Sequence, residues 1–332
     1  MLLFVLLSTQ VIYKLDFAKA EGDASSSSGK TIEAVLKKLK EVDLQKSHNS
    51  SQARVVFVAG MEGTGHHMFR AIFEKCVALR PALCEFDKEL PQLLFKATVD
   101  SSSISPGKGI VEIKHRGALK NARRYSGLFG VSAYDAHSNI LNAVFSRMKE
   151  IASSASSGGK LVILNTQDDD KAGVLSYPNF DGLHRSVHNP DLHVLACVAE
   201  AAGVDFRVVV LQRSAEAAYA SFHRRFNAEA SLMGIVTSAN VLYAQLTQIA
   251  PDFYHCVSYD DMGALRSRDK DALATFLHPA LRGGLMNAML GEVVTRKSGR
   301  LEASAENASV TYHLVRYQSV LDKISGLCRK RH

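Results

Sequence analysis

The sequence predicts an α/β fold built as a three-layer, doubly wound parallel sheet. Three observations carry that expectation. Arg54 to Ala59 and Phe206 to Gln212 are runs rich in β-branched and aromatic residues with few polar interruptions, the composition of strands covered on both faces. Each run leads into a helix signal, from Gly65 in the first case and from Ser214 in the second. Strand and helix patterns alternate along the rest of the chain, which requires crossover connections and sets ligands at the strand carboxyl ends.

The elements follow in order. Residues 1–20 open with Met1-Leu2-Leu3-Phe4-Val5-Leu6-Leu7 and continue through Val11, Ile12 and Tyr13. That apolar stretch is short for a bilayer span and ends near Ala18-Lys19-Ala20, a small-x-small pattern, so it reads as a signal peptide or a truncated signal-anchor. Residues 21–52 read as a flexible stem around Ser25 to Ser28, with a short amphipathic helix over Thr31 to Val42. One globular domain then occupies 53–332. Its expected order is strand 54–59, helix 65–79, a strand around Gly109 to His115, helix Tyr134 to Ser153 and strand Lys160 to Asn165. After an irregular stretch through Tyr177-Pro178 come helix Pro190 to Ala202, strand 206–212, helix 214–226, helix Gly234 to Ile249, strand 253–258 and helix 269–277.

A chain of 332 residues, 46% hydrophobic and 22% charged, can fill one large core. Its net charge of +7 favours anionic partners, but there is no arginine-rich tract, so nucleic acid is not expected. Asn49-Ser50-Ser51 and Asn307-Ala308-Ser309 are N-glycan acceptor sequences, in keeping with the secretory pathway and a Golgi lumen location, membrane-anchored or secreted. Of the five cysteines, Cys76 and Cys84 are near enough to bridge in an oxidising lumen, Cys256 and Cys328 form a second candidate pair, and Cys197 reads as a buried helix thiol. No pair has C-x-x-C spacing, so no metal is expected.

The most informative stretch is Val55-Val56-Phe57-Val58-Ala59-Gly60-Met61-Glu62-Gly63-Thr64-Gly65-His66-His67, a buried strand entering a glycine-rich turn that opens a helix. Gly60 and Gly65 have the G-x-x-x-x-G spacing of a P-loop, where backbone N–H groups and a helix N-terminus converge on an anion. The triphosphate-hydrolysing form continues with Lys and then Ser or Thr, whereas this chain has His66 and His67, which points to a different phosphate-bearing donor. The second strand ends at Arg213, and Ser221 follows two helical turns on, so a guanidinium fork and a hydroxyl could grip another phosphate. Two strand-to-helix anion sites in one sheet suggest a ligand with two separated phosphates.

With these residues the chain resembles the sulfotransferases that use 3′-phosphoadenosine 5′-phosphosulfate. Thr64-Gly65-His66-His67 falls on their [ST]-G-[ST]-[ST] phosphosulfate signature, and Arg213 with Ser221 has the spacing of their 3′-phosphate signature. Val257-Ser258-Tyr259-Asp260-Asp261-Met262 is similar to their Y-E-D-L strand end, and Arg296-Lys297-Ser298-Gly299 to a late basic loop that closes over the nucleotide. The resemblance spans roughly residues 53 to 300. Gly63 stands where many relatives have Lys or Arg, and His66 and His67 replace hydroxyls, although imidazole N–H groups can still donate to phosphate or sulfate oxygens.

The resemblance implies a P-loop NTPase-like fold and donor-binding residues Gly60, Gly63, Thr64, Gly65, His66, His67, Arg213, Ser221, Arg296 and Lys297. It also implies a general base for the acceptor hydroxyl, and no metal. Cys84-Glu85-Phe86 falls where some relatives carry C-G-E-E, which makes Glu85 the leading base, with Asp87 and Glu89 close by. His115 beside Lys114, similar to a K-T-H strand end, is the second candidate, and His184, Arg185 and His188 could face the acceptor. The expected activity is sulfuryl transfer to an acceptor hydroxyl, on a carbohydrate first and a tyrosine next. The alternatives are a P-loop kinase or nucleoside triphosphatase, for which Asp168-Asp169-Asp170 would hold a metal, and a degenerate relative that binds nucleotide or anionic glycan without turnover.

Overall fold

The structure, a computed structural model, describes residues 52–61, 63–90, 134–155, 159–164, 179–180, 187–188, 192–222, 228–262, 267–290 and 308–329. Five strands form one all-parallel sheet: β1 (Ala53–Ala59), β2 (Cys84–Asp87), β3 (Lys160–Leu164), β6 (Asp205–Gln212) and β7 (Tyr254–Ser258), in the order β2-β3-β1-β6-β7. A short antiparallel pair, β4 (Asn179–Phe180) and β5 (Val187–His188), stands apart from it. The helices are α1 (His66–Leu79), α2 (Tyr134–Ser154), α3 (Leu192–Ala202), α4 (Ala215–Phe222), α5 (Ala228–Leu246), α6 (Ser267–Leu277), α7 (Gly284–Leu290) and α8 (Ala308–Arg329).

Period-two alternation splits the strand residues between two cores. Val55, Phe57 and Ala59 of β1, with Phe206, Val208 and Val210 of β6, pack against α2, α3, α5 and α8. Val56 and Val58, with Val209 and Leu211, face α1, α6 and α7. This is the three-layer doubly wound arrangement expected from the sequence, and the continuous apolar runs follow because both faces of each central strand are dry.

The topology locates the ligand edge. From β1 the chain leaves through α1 on one face toward β2, and from β6 it leaves through α4 and α5 on the other face toward β7. Neighbouring strands whose exits diverge define a switch point, with a crevice at their carboxyl ends. The Gly60 to Gly65 turn and Arg213 are the residues that follow those two ends. At the opposite edge Arg54 donates to Asp205 at 2.7 Å and to the carbonyl of Phe276 at 2.7 Å, so that buried charge is spent holding the end of α6.

Two disulfides, Cys76–Cys84 and Cys256–Cys328, tie α1 to β2 and β7 to α8, the two candidate pairs of the sequence, and Cys197 is buried in α3 outside both of them. Three expectations change. Cys84–Asp87 is a sheet strand, α5 begins at Ala228 and carries Gly234 in its interior, and α8 adds a long C-terminal helix that the expected order lacks. Among the described residues no helix is long and apolar enough to cross a membrane. Residues 1–20, most of the stem, and the strand expected around Gly109 to His115 lie outside the described residues.

Candidate functional site

The cradle forms because β1 must turn sharply off the sheet and begin a helix within six residues. Thr64 N–H donates to the Met61 carbonyl at 3.1 Å and the Thr64 hydroxyl to the same oxygen at 2.6 Å, which closes the turn. Gly63 (φ 83°) and Gly65 (φ 117°) adopt left-handed backbone that side chains disfavour. Both are also crowded: a Cβ on Gly63 would lie 2.5 Å from the Ala218 carbonyl oxygen of α4, and one on Gly65 would overlap the Tyr259 ring. Gly60 packs as tightly, with its missing Cβ position 2.8 Å from Leu211 Cβ on β6.

Gly65 is the N-cap of α1, and no side-chain cap bond is made there among the described residues. Among the described residues no side chain is seen to take the first-turn amides, which have the positive end of the helix dipole behind them. His66, the first helical residue, is 8% exposed, and its Nε2 is buried without a hydrogen-bond partner among the described residues. Burial pushes its pKa down to about 3, neighbouring His67 pushes the same way, and a hydrogen bond to the Gly60 backbone only partly offsets them. His66 is therefore a neutral ring that, among the described residues, pairs with the turn itself. His67 is exposed.

Arg213 meets this turn from the adjacent strand. Its Nη1 donates to the Gly63 carbonyl at 2.9 Å, its guanidinium lies 4.3 Å from the Tyr259 ring centroid, and its Nε is 3.5 Å from Asp260 Oδ1. Two segments 150 residues apart thus share one sheet edge. Ser221 is exposed on α4, one turn beyond Ala218 and on the same helix face, so it lies on the side that meets Gly63.

Other candidates fall elsewhere. The Thr64 hydroxyl is fully buried and spent on Met61, so it builds the turn and does not reach outward as a ligand donor would. The structure does not bring Glu85 to the cradle: it pairs in register with Val162, which pairs with Val55, and its carboxylate is 2.5 Å from Lys160 Nζ. From Val55 to Gly60 is roughly 16 Å along a strand, two strands away from β2. Asp87 is buried and held by Arg147 at 2.5 Å, and Glu89 is 3.3 Å from the same guanidinium. His115, Arg296 and Lys297 lie outside the described residues, as do Asp168-Asp169-Asp170, His184 and Arg185; His188 is in β5, with its side chain undescribed.

Sequence reasoning did not anticipate that Tyr259 and Asp260 would touch Arg213. The usable signal was the end of β7 beside β6, where Tyr259 N–H donates to the Gln212 carbonyl at 2.8 Å. Gln318 of α8 was also missed; its Oε1 accepts from Ala215 N–H at 2.8 Å, just after Arg213.

No family model and no curated protein matches this chain. Among solved structures it is similar to a sulfotransferase domain from the Synechococcus PCC 7002 olefin synthase, at 14% identity and a TM-score of 0.44, covering 85% of this chain and 98% of that one. It is also similar to a sulfotransferase domain from the curacin biosynthetic pathway, at 12% identity and a TM-score of 0.38, covering 84% of this chain and 92% of that one.

Proposed function

We propose that this chain is a sulfotransferase whose donor is 3′-phosphoadenosine 5′-phosphosulfate. One observation carries the reading: an uncapped helix N-terminus after a glycine turn is joined, through the Gly63 carbonyl, to the arginine that ends the neighbouring strand. The first-turn amides of α1 would take the 5′ phosphosulfate, where the helix end offsets charge that builds on the leaving oxygen. Arg213 and Ser221, reached from the next strand and helix, would take the 3′ phosphate, with Arg296 and Lys297 closing over it. His66 cannot supply a formal positive charge at neutral pH, which leaves the backbone and Arg213 to balance the anion.

The proton of the acceptor hydroxyl needs a base. With Glu85 paired to Lys160, the proposal assigns that role to His115. The acceptor is a carbohydrate hydroxyl, with a tyrosine hydroxyl next, a choice resting on the N-terminal apolar segment and the glycan acceptor sequences at Asn49 and Asn307.

The test is a titration of adenosine 3′,5′-bisphosphate against the wild type and Arg213→Ala. Micromolar or tighter binding to the wild type, weakened by about 1.5 to 3 kcal/mol in the variant, is the expected outcome for loss of a charge-assisted contact. Equal affinity in the two proteins would remove Arg213 from the site.

A further inference from the structure

At the centre of the site lies a residue that the proposed chemistry does not use. Tyr259 follows the last residue of β7, and its backbone is fixed at both ends, by its N–H on the Gln212 carbonyl at 2.8 Å and by its own carbonyl, which accepts from Met262 N–H at 3.3 Å. One edge of its ring fills the space where a Gly65 side chain would be. Arg213 is buried, and its guanidinium lies 4.3 Å from the ring centroid, within cation–π distance. The same arginine donates to Gly63, so Gly63, Gly65, Tyr259 and Arg213 form a closed circuit of contacts across three strand ends.

Resting on the reading of this edge as an anion site, we infer that Tyr259 is its positioning residue: a flat ring that seats the Gly65 turn and holds the Arg213 guanidinium at the same time. The ring touches no reacting atom in this account. What it supplies is coupling, because a ring that shifts away from Gly65 must also leave the guanidinium. The two halves of the site therefore order together, and a ligand meets both already formed. A flat ring is required, because an aliphatic side chain of similar bulk has no face for the cation. The phenolic hydroxyl is not required.

Two measurements on the full chain test this separately from the nucleotide reading. In ligand-free protein, amide hydrogen exchange at Thr64 to His67 should speed at least tenfold in Tyr259→Leu and Tyr259→Ala and stay at the wild-type rate in Tyr259→Phe. Unchanged exchange in Tyr259→Leu overturns the inference whatever the ligand is. Adenosine 3′,5′-bisphosphate should then bind at least tenfold more weakly to Tyr259→Leu and within twofold of wild type to Tyr259→Phe. A purely space-filling role would make the Leu and Phe variants alike, and that result also overturns the inference. Should the wild type not bind the bisphosphate, the donor assignment falls while the exchange rates still decide the role of Tyr259.

Discussion

Two helices begin at the carboxyl edge of the sheet on neighbouring strands, and their N-termini are treated in opposite ways. At α1 the N-cap is a glycine in left-handed backbone, and among the described residues no side chain takes the first amides. At α4 the Ser214 hydroxyl accepts from Ala217 N–H at 3.2 Å, and Gln318, reaching across from α8, accepts from Ala215 N–H at 2.8 Å. A helix end whose amides are filled by the protein has little left for a ligand. The comparison therefore separates two roles that the sequence presents as similar strand-to-helix sites: the first offers backbone, and the second offers the side chains of Arg213 and Ser221 around an end that is already closed.

The sharpest way to break the comparison is to close the open end. Gly65→Ala places a Cβ into the Tyr259 ring at a backbone φ of 117°. Strain of this kind costs about 1–3 kcal/mol. We expect a loss of that size in urea-unfolding free energy, together with a loss of bisphosphate affinity of more than about a hundredfold, or about 2.7 kcal/mol. A variant that binds normally would show that the α1 turn is only a structural corner.

The neutral ring at the open end gives the next effect. The His66 pKa is lowered to about 3 by burial, against an ordinary value near 6.5. In the unfolded chain the ring gains a proton as pH falls below about 6.5, whereas in the folded chain it stays neutral down to about 3. Unfolding therefore takes up a proton in that window, and stability falls as pH falls, by up to about 1.4 kcal/mol per pH unit, with no contribution above the window. His278, lowered by burial as well, adds to the same acid limb. Urea titrations from pH 7 to pH 4 should show that His66→Gln flattens this limb by one proton, and equal slopes would show that the ring is not buried neutral.

The same contrast marks how far the sequence could be read. Both strand-to-helix junctions, the glycines of the first and Arg213 of the second were legible because they depend on local backbone chemistry and on dry strands with few polar residues. For the cysteines the sequence offered two candidate pairs without fixing the pairing, and the structure forms both. The surroundings of Glu85 were not legible because β2 is only four residues long, Cys-Glu-Phe-Asp; only its register with β3 shows that the carboxylate stands beside Lys160. The closing of α4 by Gln318 could not be foreseen, because the two partners lie 103 residues apart and a glutamine on a helix surface carries no sign of its distant contact. Tyr259 stood in a recognised strand end, yet its role depends on β7 lying beside β6, a fact of topology.

The smallest expected effect sharpens the comparison from the closed side. Ser214→Ala removes the hydroxyl that accepts from Ala217 and should lower stability by about 1 kcal/mol, the usual cost of losing an N-cap. Bisphosphate affinity should stay within twofold of wild type, because Ser214 caps a helix end the ligand does not need, while the adjacent Arg213 keeps its contacts to Gly63 and Tyr259. The informative quantity is the ratio of the two losses across variants. Gly65→Ala should move affinity at least as much as stability, and Ser214→Ala should move stability almost alone. If Ser214→Ala instead cost tenfold or more in affinity at an unchanged melting temperature, the α4 end would be the one that meets the anion, and the two helix N-termini would have to exchange roles.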